Sequence, residues 1–90
     1  MAELVHRFKT TVTATDGRVY VAEAWGFPRD DGLWEGALVF QPDDNGPVLM
    51  TGRETTQSNF GALGYWASGL EAVYLEGALG RARPEEPTAA

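Results

Sequence analysis

The sequence predicts a small α+β domain that is mostly β: a four-strand antiparallel meander, one short helix at about residues 59–69, and a fifth strand returning to the sheet. Three observations carry this. Asp16-Gly17 and Asn45-Gly46 separate runs rich in Val, Thr, Tyr, Trp and Phe, and such runs bounded by turn chemistry read as hairpin-linked strands. From Phe60 onward the apolar spacing changes to three and four residues, the period of one helix face. Ninety residues are enough for one hydrophobic core but too few for two.

The first hairpin turns at Asp16-Gly17. A two-residue type I′ loop there would set Val12 opposite Val21, Phe8 opposite Trp25 and His6 opposite Phe27. That register gathers the large apolar groups on one face and leaves Tyr20 on the other, because side chains alternate with period two. Phe27 to Gly32 holds Pro28, Asp30 and Asp31 and reads as a loop. The third strand, Leu33 to Gln41, shows Trp34, Leu38 and Phe40 on one face. Leu33, Ala37 and Val39 share the opposite face with Glu35 and Gln41. Gly36 interrupts the apolar face, as glycines do where another backbone or side chain comes close.

After the turn at 42–47, a fourth strand runs from Val48 through Thr56. The helix follows, with Ser58 as the expected N-cap and Gly69 at the left-handed C′ position. Phe60, Leu63 and Trp66 are expected to seal the sheet beneath it. The run Val73 to Arg81 alternates Val73, Leu75 and Leu79 against Tyr74, Glu76 and Ala78, giving the fifth strand. It either pairs at an edge or closes the sheet into a small barrel; the pattern fits both. Residues 83–90, with two prolines and no large apolar group, read as a disordered tail beyond a single domain at 1–82.

Composition narrows the function classes. The chain has no Cys, one His and one Lys, which removes disulfides, thiolate nucleophiles and paired-His metal sites. A net charge of −6 with six scattered arginines disfavours nucleic acid and anionic membranes, both of which select clustered cations. No apolar run approaches the roughly 18 residues of a membrane span, and the N-terminus lacks the pattern of a signal peptide. A cytoplasmic location is the expectation.

Gly52-Arg53-Glu54-Thr55-Thr56-Gln57-Ser58-Asn59, Tyr65-Trp66-Ala67-Ser68-Gly69-Leu70, Val73-Tyr74-Leu75-Glu76-Gly77-Ala78-Leu79 and Gly32-Leu33-Trp34-Glu35-Gly36 resemble a group of short bacterial proteins of unassigned function. The likeness covers about residues 30–82. It implies a bacterial origin and a free-standing domain, and it carries no activity.

Two sets of residues are candidates for binding. Arg53, Glu54, Thr55, Thr56 and Gln57 join a strand end to a helix start, where free N–H groups and the helix dipole favour an anion or a small polar ligand. The same residue types also serve as ordinary caps. Tyr20, Leu33, Val39 and Tyr74 fall on faces away from the inferred core and are the candidate interaction surface. Asp30-Asp31 and Asp43-Asp44 fit turns rather than an oxygen-ligand loop. His6 has no visible nucleophile beside it. The chain therefore reads as a non-enzymatic binding or protein-interaction module whose second apolar sheet face meets either another copy of the chain or a different protein. The alternative is an anion or small-molecule site on residues 53–59. No metal or cofactor motif is present in the sequence.

Overall fold

The computed structural model describes residues 1–85. Strands β1 (Glu3–Thr13), β2 (Val19–Pro28) and β3 (Trp34–Pro42) form an antiparallel meander, followed by two fragments, β4 (Leu49–Met50) and β5 (Thr55–Gln57). Helices α1 (Phe60–Ser68) and α2 (Ala72–Arg81) come next, then β6 (Arg83–Pro84). The strand order is β1-β2-β3-β4-β6, with β5 also paired to β3. Because β1 and β6 stand at opposite ends of that path, the sheet is open and the barrel alternative falls. Among the described residues, no helix is long and apolar enough to cross a membrane.

The first hairpin corrects the sequence register by one residue. Ala14 N–H donates to Arg18 C=O at 2.8 Å and Gly17 N–H to Ala14 C=O at 3.0 Å, so the loop holds three residues, Thr15 to Gly17. A type I′ turn needs positive φ at both central residues. Here Gly17, at φ 89, has it and no non-glycine residue does. Val12 therefore faces Tyr20, not Val21, and Thr11 faces Val21. Irregularities between Arg7 and Thr11 and between Leu4 and His6 put extra residues into β1, which lets Val5, Phe8 and Val12 reach the core despite their uneven spacing. On β2 the slip exchanges faces: Tyr20, Ala22 and Ala24 are buried in the core, and Val21, Trp25 and Phe27 turn away from it.

The largest correction is at residues 73–81, which form helix α2 instead of a fifth strand. Leu75, Ala78 and Leu79 are its buried residues, a three-and-four spacing that overlaps the alternation Val73, Leu75, Leu79 read from the sequence. In a run this short the two periods share members. What decides is the sheet: α2 packs with the cluster of Val12, Tyr20, Phe40 and Leu49, which one helix would leave partly uncovered. A buried helix face supplies stability that a short helix lacks in isolation.

Helix α1 stands close to where it was expected. Its cap is Asn59, not Ser58: the Asn59 side chain accepts from Ala62 N–H at 2.8 Å. Gly69 sits at φ −92, outside the left-handed region. Leu63 and Ala67 are fully buried, Trp66 packs at the margin, and Phe60 lies at the rim against Trp34, with ring centroids 5.1 Å apart. Close approach is possible because the sheet is small-faced there. A Cβ on Gly26 would stand 2.7 Å from Leu63 Cδ1, and one on Gly36 would stand 2.9 Å from Thr55 Cγ2 and 3.0 Å from Leu63 Cδ2.

The expected fourth strand is broken. β4 and β5 both pair with β3, and Thr51 to Glu54 bulge between them. Thr51 closes the gap with its side chain, accepting Leu38 N–H at Oγ1 (3.0 Å) and donating to Gly52 C=O (2.8 Å). Its own N–H donates to Leu38 C=O at 2.9 Å. A buried backbone donor left open by the bulge is thus satisfied by a hydroxyl. Arg83-Pro84, read from sequence as part of the tail, pairs with β4 instead. Residues 86–90, the rest of that tail, lie outside the described residues.

Candidate functional site: the open face of the sheet

Both helices pack on one face of the sheet, over Tyr20, Ala22, Ala24, Leu38 and Phe40. Alternation then sends the intervening residues of β2 and β3 to the other face. Register places Trp25 beside Ala37, Glu23 beside Val39, Phe27 beside Glu35 and Val21 beside Gln41. Leu4 of β1 opposes Trp25, and Met50 of β4 opposes Val39. The result is a sheet face whose middle is apolar and which, among the described residues, no helix covers. Trp25, Phe27, Val21 and Met50 are half-buried there. Ala2 and Glu85 rise at its rim, enclosing with Trp25, Phe27, Val39 and Met50 a shallow cavity of about 290 Å³.

Within this apolar surface sits a carboxylate. Glu23 is only 3% exposed. Its Oε2 accepts from Arg7 Nε (2.9 Å) and Nη2 (2.7 Å), while its Oε1 accepts from Trp25 Nε1 (2.9 Å) and Gln41 Nε2 (3.4 Å). Burial pushes this carboxyl up. The bonds from Trp25, Arg7 and Gln41, with the Arg7 charge, outweigh it and hold the group below the usual carboxylate range. The geometry locks Trp25: an indole N–H tied to a fixed carboxylate two residues away on one strand has little rotamer freedom. Charged groups border the face. Arg29 bonds Asp31 and Glu35, and Arg53 lines a groove with Phe27, Glu35, Ala37 and Met50.

The residues singled out from sequence separate. Val39 lies on the open face, with 8% exposure. Leu33 is exposed in the loop before β3. Tyr20 is a correction: at 4% exposure it belongs to the core, its ring 6.5 Å from that of Phe40. Tyr74 is half-buried against the same core. Its hydroxyl donates to Glu54 Oε1 at 2.5 Å, where Arg81 Nη2 also donates at 2.6 Å. Burial first, and then the Glu54 bond, raise the Tyr74 hydroxyl above its ordinary value. This tie pins α2 to the bulge.

Segment 53–57 divides between these environments. Arg53 borders the open face, whereas Glu54 turns to α2. The Thr55 methyl packs where a Gly36 Cβ would be, Thr56 is exposed, and Gln57 Nε2 donates to Thr55 Oγ1 at 2.8 Å. Of the five, only Thr55 and Gln57 are joined by a side-chain bond. Sequence reasoning missed Glu23, Trp25, Phe27 and Met50 as surface groups. No local signal marked them: Asp16-Gly17 suits a two-residue loop as well as the three-residue loop observed, and only the longer loop moves Trp25 off the core.

No family model matches the chain, and no curated protein or solved structure is detectably similar to it.

Proposed function

We propose that the chain is a small non-enzymatic binding module of the cytoplasm whose working surface is the open face of its sheet, and that it takes an apolar protein surface there. The observation that carries the reading is the half-buried group Trp25, Phe27 and Met50 around buried Val39 and Ala37, on a face without a covering layer among the described residues. An apolar centre with a charged rim is the anatomy of a protein interface. Trp25 held by Glu23 is ordered before binding, so little side-chain entropy is lost on contact. The non-enzymatic part is supported by the polar groups. Among the described residues no buried side-chain nitrogen or oxygen lacks a hydrogen-bond partner, and the buried carboxylates are engaged in holding strands and helix together.

The test is an environment-sensitive apolar dye added to submicromolar protein. Bright binding by the native chain, lost in Phe27→Glu with an unchanged far-ultraviolet spectrum, supports the reading. Equal signals from native and variant protein, or none from either, overturn it.

A further inference from the structure

Resting on that reading, we infer that the partner on the open face is a second copy of this chain, so that two sheets pack face to face with their helices outward.

Size argues first. The face is four strand columns wide, β4 and β5 together making the fourth, with only the two-residue β6 beyond β4. At about 4.8 Å per strand and 3.3 Å per residue over ten residues it measures roughly 19 by 33 Å, about 630 Å². Two such faces bury about 1,250 Å², inside the range of roughly 1,200–2,000 Å² for specific interfaces. The hollow between Trp25, Phe27 and Met50, about 290 Å³, is at or below the lower end of the roughly 300–1,000 Å³ of a ligand pocket.

Charge argues next. The chain carries −6, yet the groups bordering this face nearly cancel. Arg7 bonds Glu23, Arg29 bonds Asp31 and Glu35, and Arg53 and Glu85 stand at the rim: three cations against four anions, or −1. The other charges among the described residues sum to −4, with acidic groups in the turns at Asp16, Asp43 and Asp44, at the α2 cap Glu71 and on α2 at Glu76 among other positions. A basic partner would be selected by an acidic surface, and this surface is not acidic. A two-fold pair needs a patch complementary to itself, and an apolar centre edged by both signs meets that condition. Aligned sheet packing places two such layers about 10 Å apart with interdigitated side chains. Trp25, Phe27 and Met50 of each copy are the groups of a size to fill that gap.

Because the two acidic bodies repel at long range while the contact is apolar, association should hold or tighten as salt rises from about 0.01 to 0.15 M, where the screening length falls from roughly 30 to 8 Å. Attraction to a basic partner would weaken over the same range.

Sedimentation equilibrium of the full chain at micromolar to submillimolar concentration tests this. The expected result is a mass rising from 9.8 kDa to twice that value, with at least tenfold weaker association in Phe27→Glu and separately in Met50→Glu. Each variant is first shown to be folded by its spectrum and its melting transition. A native chain that stays at 9.8 kDa throughout overturns the second copy. If the dye signal of the preceding test is nonetheless present and lost in Phe27→Glu, the binding face stands and only its occupant is wrong. A dimer unchanged by both folded variants also overturns the inference, since the copies then meet elsewhere. A dimer that dissociates on adding salt overturns it as well.

Discussion

The two faces of one sheet differ in how they use the same strands. On the helix side, Ala22, Ala24, Gly26 and Gly36 are small, and Leu63, Leu75 and Leu79 descend from the helices to join Tyr20, Leu38 and Phe40 of the sheet in the core. On the open side, β2 supplies the bulk itself with Val21, Trp25 and Phe27, and a carboxylate is anchored among them. Over residues 21–27, β2 turns its small residues, Ala22, Ala24 and Gly26, toward the helices and its large ones, Val21, Trp25 and Phe27, toward the open side. A core is filled by the sum of the volumes facing each other, so the largest residues of a strand need not point into it.

Adjacent residues of β3 test this contrast most sharply. Leu38→Ala, on the helix side at 0% exposure, is expected to cost about 2–5 kcal/mol, the transfer loss plus an unfilled cavity. Its neighbour Val39→Ala, on the open side, should cost about 1.5 kcal/mol, from two carbon groups at roughly 0.8 each. Urea denaturation of both measures the difference, and equal costs would mean that the open face is packed like the other.

Next in size is Thr51→Val. It keeps the shape and removes the acceptor of the buried Leu38 N–H, and should cost about 1–3 kcal/mol. A neutral result would show that the bulge relaxes into a regular strand pair.

Glu23 ties the open face to pH. Its folded carboxyl titrates below the usual range, so the protein gains stability from its ionised form above the unfolded carboxylate value. That gain is lost as pH falls through the lower folded value. Glu23→Gln should therefore be less stable than the native chain at neutral pH and approach it in acid, read from melting temperatures across pH 2–7 (about the span of carboxylate titration). A constant gap over that span would deny Glu23 its lowered titration.

Smallest is Phe27→Ser. Half-buried on the open face, it should change monomer stability by no more than about 1 kcal/mol while weakening association. A larger loss would place Phe27 in the monomer core.

How far the sequence was legible follows from the same residues. The three long strands, the turns and α1 could be read because alternation, Gly17 and the spacing from Phe60 are local signals. Val39 and Ala37 could be placed on a second apolar face for the same reason. Tyr20 and Trp25 exchanged faces because one residue of loop length reverses every side chain of a strand, and the large indole pulled the reading toward the core. Residues 73–81 read as a strand because Leu75 and Leu79 satisfy both periods. Of the candidate site, Val39 and Arg53 were named in advance, while Glu23, Trp25, Phe27 and Met50 emerge only once the register is known.

Composition and pattern alone settle that this chain builds one β-rich layer with apolar residues to spare on both sides, since they rest on alternation and on the number of residues available. Which side receives the helices, whether 73–81 coils or extends, and how Glu23 comes to be buried between Arg7 and Gln41 depend on contacts between segments far apart in the chain, 16 and 18 residues in the case of Glu23. Such contacts are chosen by the total volume and hydrogen bonding of the assembled layers, which no local window contains.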